Sequence, residues 1–312
     1  MAGSHFPNGF AHGVSIKGVP ILSMNPNKVF WVSSVTGSNG NDGTNGRPWA
    51  TLDYAIGLCT ANKGDIIMVM PNHAETITGA GGITQDVAGV SVIGLGIGNQ
   101  RPRFLMDGGT TVSYVISAAD SYVTNLVFAS GHADVVTCFD VTAVYATIEG
   151  CEFVDNIATE NFLSAVTASG AANTADGLTL VGNRFMTPDA STVGFAMLDD
   201  DVEFATISDN IIVSEGTGLA TIFTSATGKD VKRFVCMNNF LSNKATAGNL
   251  AYSNDTASPN NSGIIAHNRV RHADVTSGQI LGVVGGCGMF DNLSVSTDAL
   301  SGFVIPAIDV DS

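Results

Sequence analysis

One pattern recurs six times along this chain: a short apolar run, then Asn or a residue in its place, then another apolar residue. The copies read Ile148-Glu149-Gly150-Cys151-Glu152-Phe153, Leu180-Val181-Gly182-Asn183-Arg184-Phe185, Ile207-Ser208-Asp209-Asn210-Ile211-Ile212, Cys236-Met237-Asn238-Asn239-Phe240, Ala266-His267-Asn268-Arg269-Val270 and Phe290-Asp291-Asn292-Leu293. Aligned on Cys151, Asn183, Asn210, Asn239, Asn268 and Asn292, they lie 32, 27, 29, 29 and 24 residues apart. A loose period of roughly 20–50 residues marks a stacked-repeat architecture. The apolar runs are short and rich in Val, Ile and Phe, which suits strands rather than helices. The Gly, Asn, Asp, Ser and Thr between them suit turns. Helical spacing is nearly absent, and no regular hairpin series supports a β-sandwich. The chain reads as all-β: a right-handed parallel β-helix of about eight coils from Ile66 to about Ser294, stacked at the strand spacing. The recurring Asn is expected to make a left-handed bend between two strands of each coil.

Upstream, Val123-Thr124-Asn125-Leu126-Val127-Phe128 continues the pattern, with Asn125 taken as the aligned residue. A solenoid needs covered ends. Thr51 followed by Leu52, Ala55, Ile56 and Cys59 predicts one short capping helix with Thr51 as N-cap. The chain thus divides into an extended N-terminal arm (1–28), a cap with the short helix (29–64), the β-helix (65–300) and a C-terminal tail (301–312). The arm carries Phe6, Phe10, Val14, Ile16, Val19 and Ile21 without any period and is too apolar for an ordinary disordered tail. Two readings stand: it docks onto another subunit or protein through these residues, or it folds back along its own rod.

Charge narrows the partners. The net charge is −15 with 13 Lys and Arg, so neither nucleic acid nor an anionic membrane is expected. No leader, membrane span or basic targeting segment is expected. The five cysteines, Cys59, Cys138, Cys151, Cys236 and Cys287, have no CxxC spacing and read as buried thiols of a protein made in a reducing compartment.

A family resemblance enters at Val29-Phe30-Trp31-Val32, followed by the Gly37–Gly46 loop and Arg47-Pro48-Trp49-Ala50-Thr51-Leu52. This run, continued by Gly64-Asp65-Ile66-Ile67-Met68-Val69-Met70-Pro71, resembles the opening of pectate-lyase-like β-helix proteins. From the Phe6-Pro7-Asn8-Gly9-Phe10 opening to about residue 100, it further resembles β-helix proteins among the virion genes of tailed bacteriophages. That resemblance implies a non-enzymatic virion structural protein of capsid-decoration type, a homotrimer made in the host cytoplasm, with the major capsid protein or another virion protein as partner. The alternative is a tailspike-like protein that binds or degrades host polysaccharide. The fold hosts many activities, so chemistry has to come from residues.

Hydrolysis of polysaccharide needs paired carboxylates on one face. The tight acidic run is Asp199-Asp200-Asp201 with Glu203, and it reads as a solvated turn, with calcium binding as a candidate second role. Asn173-Thr174-Ala175-Asp176 does not complete a polygalacturonase-type pattern. Arg101-Pro102-Arg103 is the one basic pair with a lyase-like shape and reads as a surface loop after the tight turn Gly94–Gly98. The histidines His5, His12, His73, His132, His267 and His272 show no metal-ligand spacing and read as turn or surface residues. Trp31 and Trp49 are expected to seal the cap. No catalytic residue, metal or cofactor is expected.

Overall fold

The computed structural model describes residues 28–303 apart from 158, 188, 216–220, 227, 244–250, 254–259, 273–285 and 297–301, together with short strands at 14–16 and 19–21. Three sheets run along a parallel β-helix. The first has ten strands, from Val29–Val32 and Ile66–Val69 to Cys287–Phe290. The second runs from Ala74–Ile77 to Leu293–Ser296 and closes with Gly302–Phe303, which pairs antiparallel. The third has seven strands, from Ile83–Gln85 to Ala251–Ser253. Seven turns therefore carry all three strands among the described residues, and the last two carry the first two. The expected class is correct. The first strand of the first sheet lies inside the segment expected to be the cap.

Period-two alternation puts every second strand residue inside. In the first sheet Ile67, Val92, Val123, Ile148, Leu180, Ile207, Cys236 and Ile265 stack in register and are buried. The second sheet contributes Phe104, Phe128, Phe153 and Phe185, with Phe104–Phe128 and Phe128–Phe153 centroids 5.5 and 5.8 Å apart. Tyr114, Phe139 and Val166 face them from the third. Rings at one repeat position give each coil the same thickness as its neighbours, which keeps the register uniform.

The recurring Asn does not make the bend. Gly182, Asp209, Asn238, His267 and Asp291, each one residue earlier, hold the left-handed backbone, with φ of +65°, +58°, +58°, +55° and +50°. The Asn that follows turns inward instead. Asn183, Asn210, Asn239, Asn268 and Asn292 are all buried, and each Oδ1 accepts the backbone N–H of the preceding aligned residue at 2.9–3.1 Å. Each Nδ2 donates to a main-chain carbonyl of that preceding coil, as Asn210 does to Leu180 (2.9 Å) and Asn239 to Ile207 (2.9 Å). The frame at Asn125 shifts accordingly: Asn125 itself has φ +59°, so it matches Gly150 rather than Cys151.

The cap differs in detail from expectation. The helix Leu52–Gly57 starts after Thr51, whose side chain does not cap it. Glu75 Oε2 accepts the Leu52 N–H (3.0 Å) instead. His73 is buried rather than on the surface: its Nδ1 accepts the Ser34 N–H (2.9 Å), which leaves Nε2 as the donor to Glu75 (3.1 Å). Trp49 seals the end of the core, 4.6 Å from the Phe30 centroid, with its indole N–H on the Asn41 carbonyl (2.9 Å). Trp31 packs elsewhere, in an outward cluster with Ile66, Met68 and Ile93.

Of the expected arm, Val14–Ile16 and Val19–Ile21 pair as an antiparallel hairpin. Phe6 and Phe10 lie outside the described residues.

Candidate functional site

The outward face of the second sheet departs from the acidic character of the chain. Its successive coils present Arg103, Val127, Glu152, Arg184, Ile211, Phe240 and Arg269 at one register position. The position two residues on presents Leu105, Ala129, Val154, Met186, Val213, Ser242 and Arg271. With Arg101 at its edge, this face gathers five of the seven arginines in the sequence. Glu152 is the one carboxylate among these positions.

A cleft of about 600 Å³ opens at its N-terminal end, lined by Ile97, Asn99, Arg101, Arg103, Glu152 and Arg184, with Val127 and Val154 as floor. The glycine run builds its lip. A Cβ on Gly94 would meet the Asn125 carbonyl oxygen at 2.3 Å, so only glycine lets the next coil approach, and Gly96 at φ +93° turns the chain outward. The short 3₁₀ turn Gly98–Gln100 then delivers Arg101.

Arg101 is not a loose surface residue. Its guanidinium pairs with Glu152, and its side chain is only 15% exposed. Burial draws it below the ordinary arginine range, and the nearby Arg184 cation adds to the shift. Arg103 opens the strand Arg103–Met106 and donates to Asn156 Oδ1 (3.1 Å), which is itself tied to Glu160. Arg184 is exposed. The cleft thus carries three cations against one paired carboxylate. It can hold an anionic ligand by charge-assisted hydrogen bonds, and it offers no carboxylate pair for glycoside hydrolysis.

The other sequence candidates are not brought here. Asp200 binds Lys229 Nζ (2.7 Å), which lowers its carboxyl, and Asp201 Oδ1 accepts the Asp230 N–H (2.8 Å). Burial and then Asp140 raise the Asp199 carboxyl. The run is a hydrogen-bonded turn, and no group of three or more potential metal ligands occurs among the described residues. His267 meets Asp291 (2.6 Å) on an exposed turn. Cys138, Cys151 and Cys236 are buried, Cys59 and Cys287 partly so, and all five thiols are free.

No family model and no curated protein matches this chain. Among solved structures, a rhamnogalacturonan lyase is similar at 10% identity over 90% of each chain, with a TM-score of 0.40. A GH136 lacto-N-biosidase from Eubacterium ramulus is similar at 11% identity over 86% of this chain and 67% of the other, with a TM-score of 0.32. Likeness this distant says nothing about substrate or chemistry here.

Glu152, Arg184 and Arg269 each follow the aligned residue of their repeat directly. That one column across the six segments holds Arg184 and Arg269, the only trace of the face in the repeat. Arg101 and Arg103 belong to an earlier, irregular coil and join it only in three dimensions.

Proposed function

We propose that the outward face of the second sheet binds a linear acidic polysaccharide, as a tailspike-like protein of a phage particle would, and that it does so without cleaving the chain. The observation that carries this reading is the gathering of Arg101, Arg103, Arg184, Arg269 and Arg271 along one face of a protein with net charge −15. Arg103, Arg184 and Arg269 are each three coils apart, a cation about every 14 Å along the axis at the strand spacing. Duplex DNA carries about one charge per 1.7 Å of axis and would overwhelm so sparse a row. A uronic-acid glycan, with neutral rings between carboxylates, matches it better. Val127, Val154 and the half-exposed Phe240 supply apolar contact for sugar rings.

Affinity electrophoresis in gels containing polygalacturonate tests the reading. Retardation is expected for the natural protein, and Arg103→Gln with Arg184→Gln should weaken it about tenfold per residue, the value of one charged hydrogen bond. Equal migration of both proteins would sink it. Release of reducing ends or unsaturated uronate would sink the non-enzymatic part alone.

A capsid-decoration role is the second reading, favoured by one observation. The arm hairpin Val14–Ile16 with Val19–Ile21 forms a sheet of its own, a unit marginal in water that gains from a partner surface. Labelling of intact particles that places the protein on the head, and light scattering that reports a trimer, are its expected results.

A further inference from the structure

At the turns that lead into the first sheet, six successive coils each place one residue in the left-handed region: Gly89, Asp120, Tyr145, Gly177, Phe204 and Arg233, with φ from +52° to +76°. They stack coil upon coil. The N–H groups of Tyr145, Gly177 and Phe204 donate to the carbonyls of Asp176, Glu203 and Lys232 at 2.7, 2.8 and 2.9 Å, each acceptor directly preceding the next member of the column. Gly and Asp suit this backbone. Tyr and Phe do not, because the Cβ crowds the following carbonyl, and a bulky residue there is an outlier.

Burial does not compensate. Tyr145 is 60% and Phe204 55% exposed. Backbone strain that displays a ring to solvent rather than packing it marks a functional surface. The surroundings say what it would hold. The Tyr145 ring rests on Gly177, where a Cβ would meet its Cδ1 at 2.5 Å. The Arg233 guanidinium lies 5.0 Å from the Phe204 centroid and is paired with Glu203. The two rings are two coils apart, about 10 Å along the axis by the strand spacing. Beside them the first sheet presents Thr147, Thr179 and Thr206 in register, all partly buried, with the Thr179 hydroxyl donating to the Gly177 carbonyl (3.3 Å).

We propose that Tyr145, Phe204 and this threonine row form a binding face for an uncharged glycan. Its sugar C–H faces would lie on the two rings, whose faces are electron-rich. Its hydroxyls would meet the threonines and the carboxylate of Glu203. The carboxylates beside it are largely matched, Glu203 by Arg233 and Asp230 by Lys232 (3.1 Å), so the face carries little net charge and suits an uncharged ligand. It lies on a different sheet from the arginine cleft and does not depend on it.

The test uses the full chain in gels containing dextran, mannan, β-glucan or chitin oligomers, with Tyr145→Asn, Phe204→Asn and the double variant. Asn tolerates the left-handed backbone, so the folded state is retained and the melting temperature should rise. The expected result is retardation of the natural protein by at least one neutral glycan, reduced tenfold or more in the double variant and unchanged by Arg103→Gln with Arg184→Gln. Four results would overturn the proposal. They are no retardation in any gel, retardation kept by the double variant, a fall in melting temperature that makes the rings structural, or loss of self-association in the double variant, which makes the occupant a second copy of the chain.

Discussion

Asp155 has its Oδ1 buried without a hydrogen-bond partner among the described residues, and burial, followed by the nearby Asp189, pushes its carboxyl up to about 7. Its unfolded value is about 3.9. A folded value above the unfolded one means that the neutral acid suits the fold. The contribution is therefore fully present below about pH 4 and is lost as pH rises through about 7. Asp155→Asn keeps the shape without the charge. It should raise the melting temperature at pH 8 and leave it unchanged at pH 4, read by circular dichroism; an equal gain at both would refute the titration. Other residues show where sequence reasoning stops. Thr51 has the chemistry of an N-cap, but Glu75, a coil away, takes the Leu52 N–H. His73 looks like a turn residue until the fold sets it between Ser34 and Glu75. Ser34 for His73 and Glu75 for Leu52 come from distant segments, and no local pattern announces them.

Among elements, the asparagine ladder carries the most weight per residue. Asn239 accepts the Asn210 N–H (3.1 Å), accepts the Asn210 amide (2.9 Å), donates to the Ile207 carbonyl (2.9 Å) and donates to Asn268 (2.9 Å). Asn239→Ala leaves the Asn210 N–H buried and unpaired, while the Ile207 carbonyl keeps its ladder bond and loses only its second donor. At about 1–3 kcal/mol for a buried group left unpaired, a loss of about 1–3 kcal/mol is expected in urea unfolding. A change below about 1 kcal/mol would mean that water replaces the amide. The ladder was legible as a column of Asn, because a repeat read from sequence shows which positions match. Its role was not legible, since identity does not report φ. The left-handed position one residue earlier is filled variously by Gly, Asp, Asn and His, so it leaves no consensus, while the buried amide leaves a strict one. The charged face followed the same logic. Glu152, Arg184 and Arg269 share a column, but two cations and one carboxylate scattered over the six aligned segments look like noise until coils are stacked and Arg101 is brought in beside them.

Over the whole molecule the fold class was readable because the solenoid repeats one local rule, and stacking that rule leaves few alternatives. The charge distribution was not, and it has a consequence for binding. The net charge of −15 repels a polyanion, whereas the arginine face attracts it at contact. Salt acts on these two effects at different ranges. At about 0.01 M the screening length is about 30 Å, so an approaching glycan feels acids on every face and is repelled. At about 0.15 M it is about 8 Å, which hides the far acids and leaves the facing arginines. At about 1 M it is about 3 Å, and even the contact attraction fades. Affinity for polygalacturonate should therefore pass through a maximum near physiological ionic strength, measured by titration calorimetry at these three concentrations. A basic protein loses polyanion affinity steadily as salt rises. A steady fall here would mean that the acids on the other faces play no part in the encounter. Loss of the maximum in Arg103→Gln with Arg184→Gln would place the attraction on the second sheet.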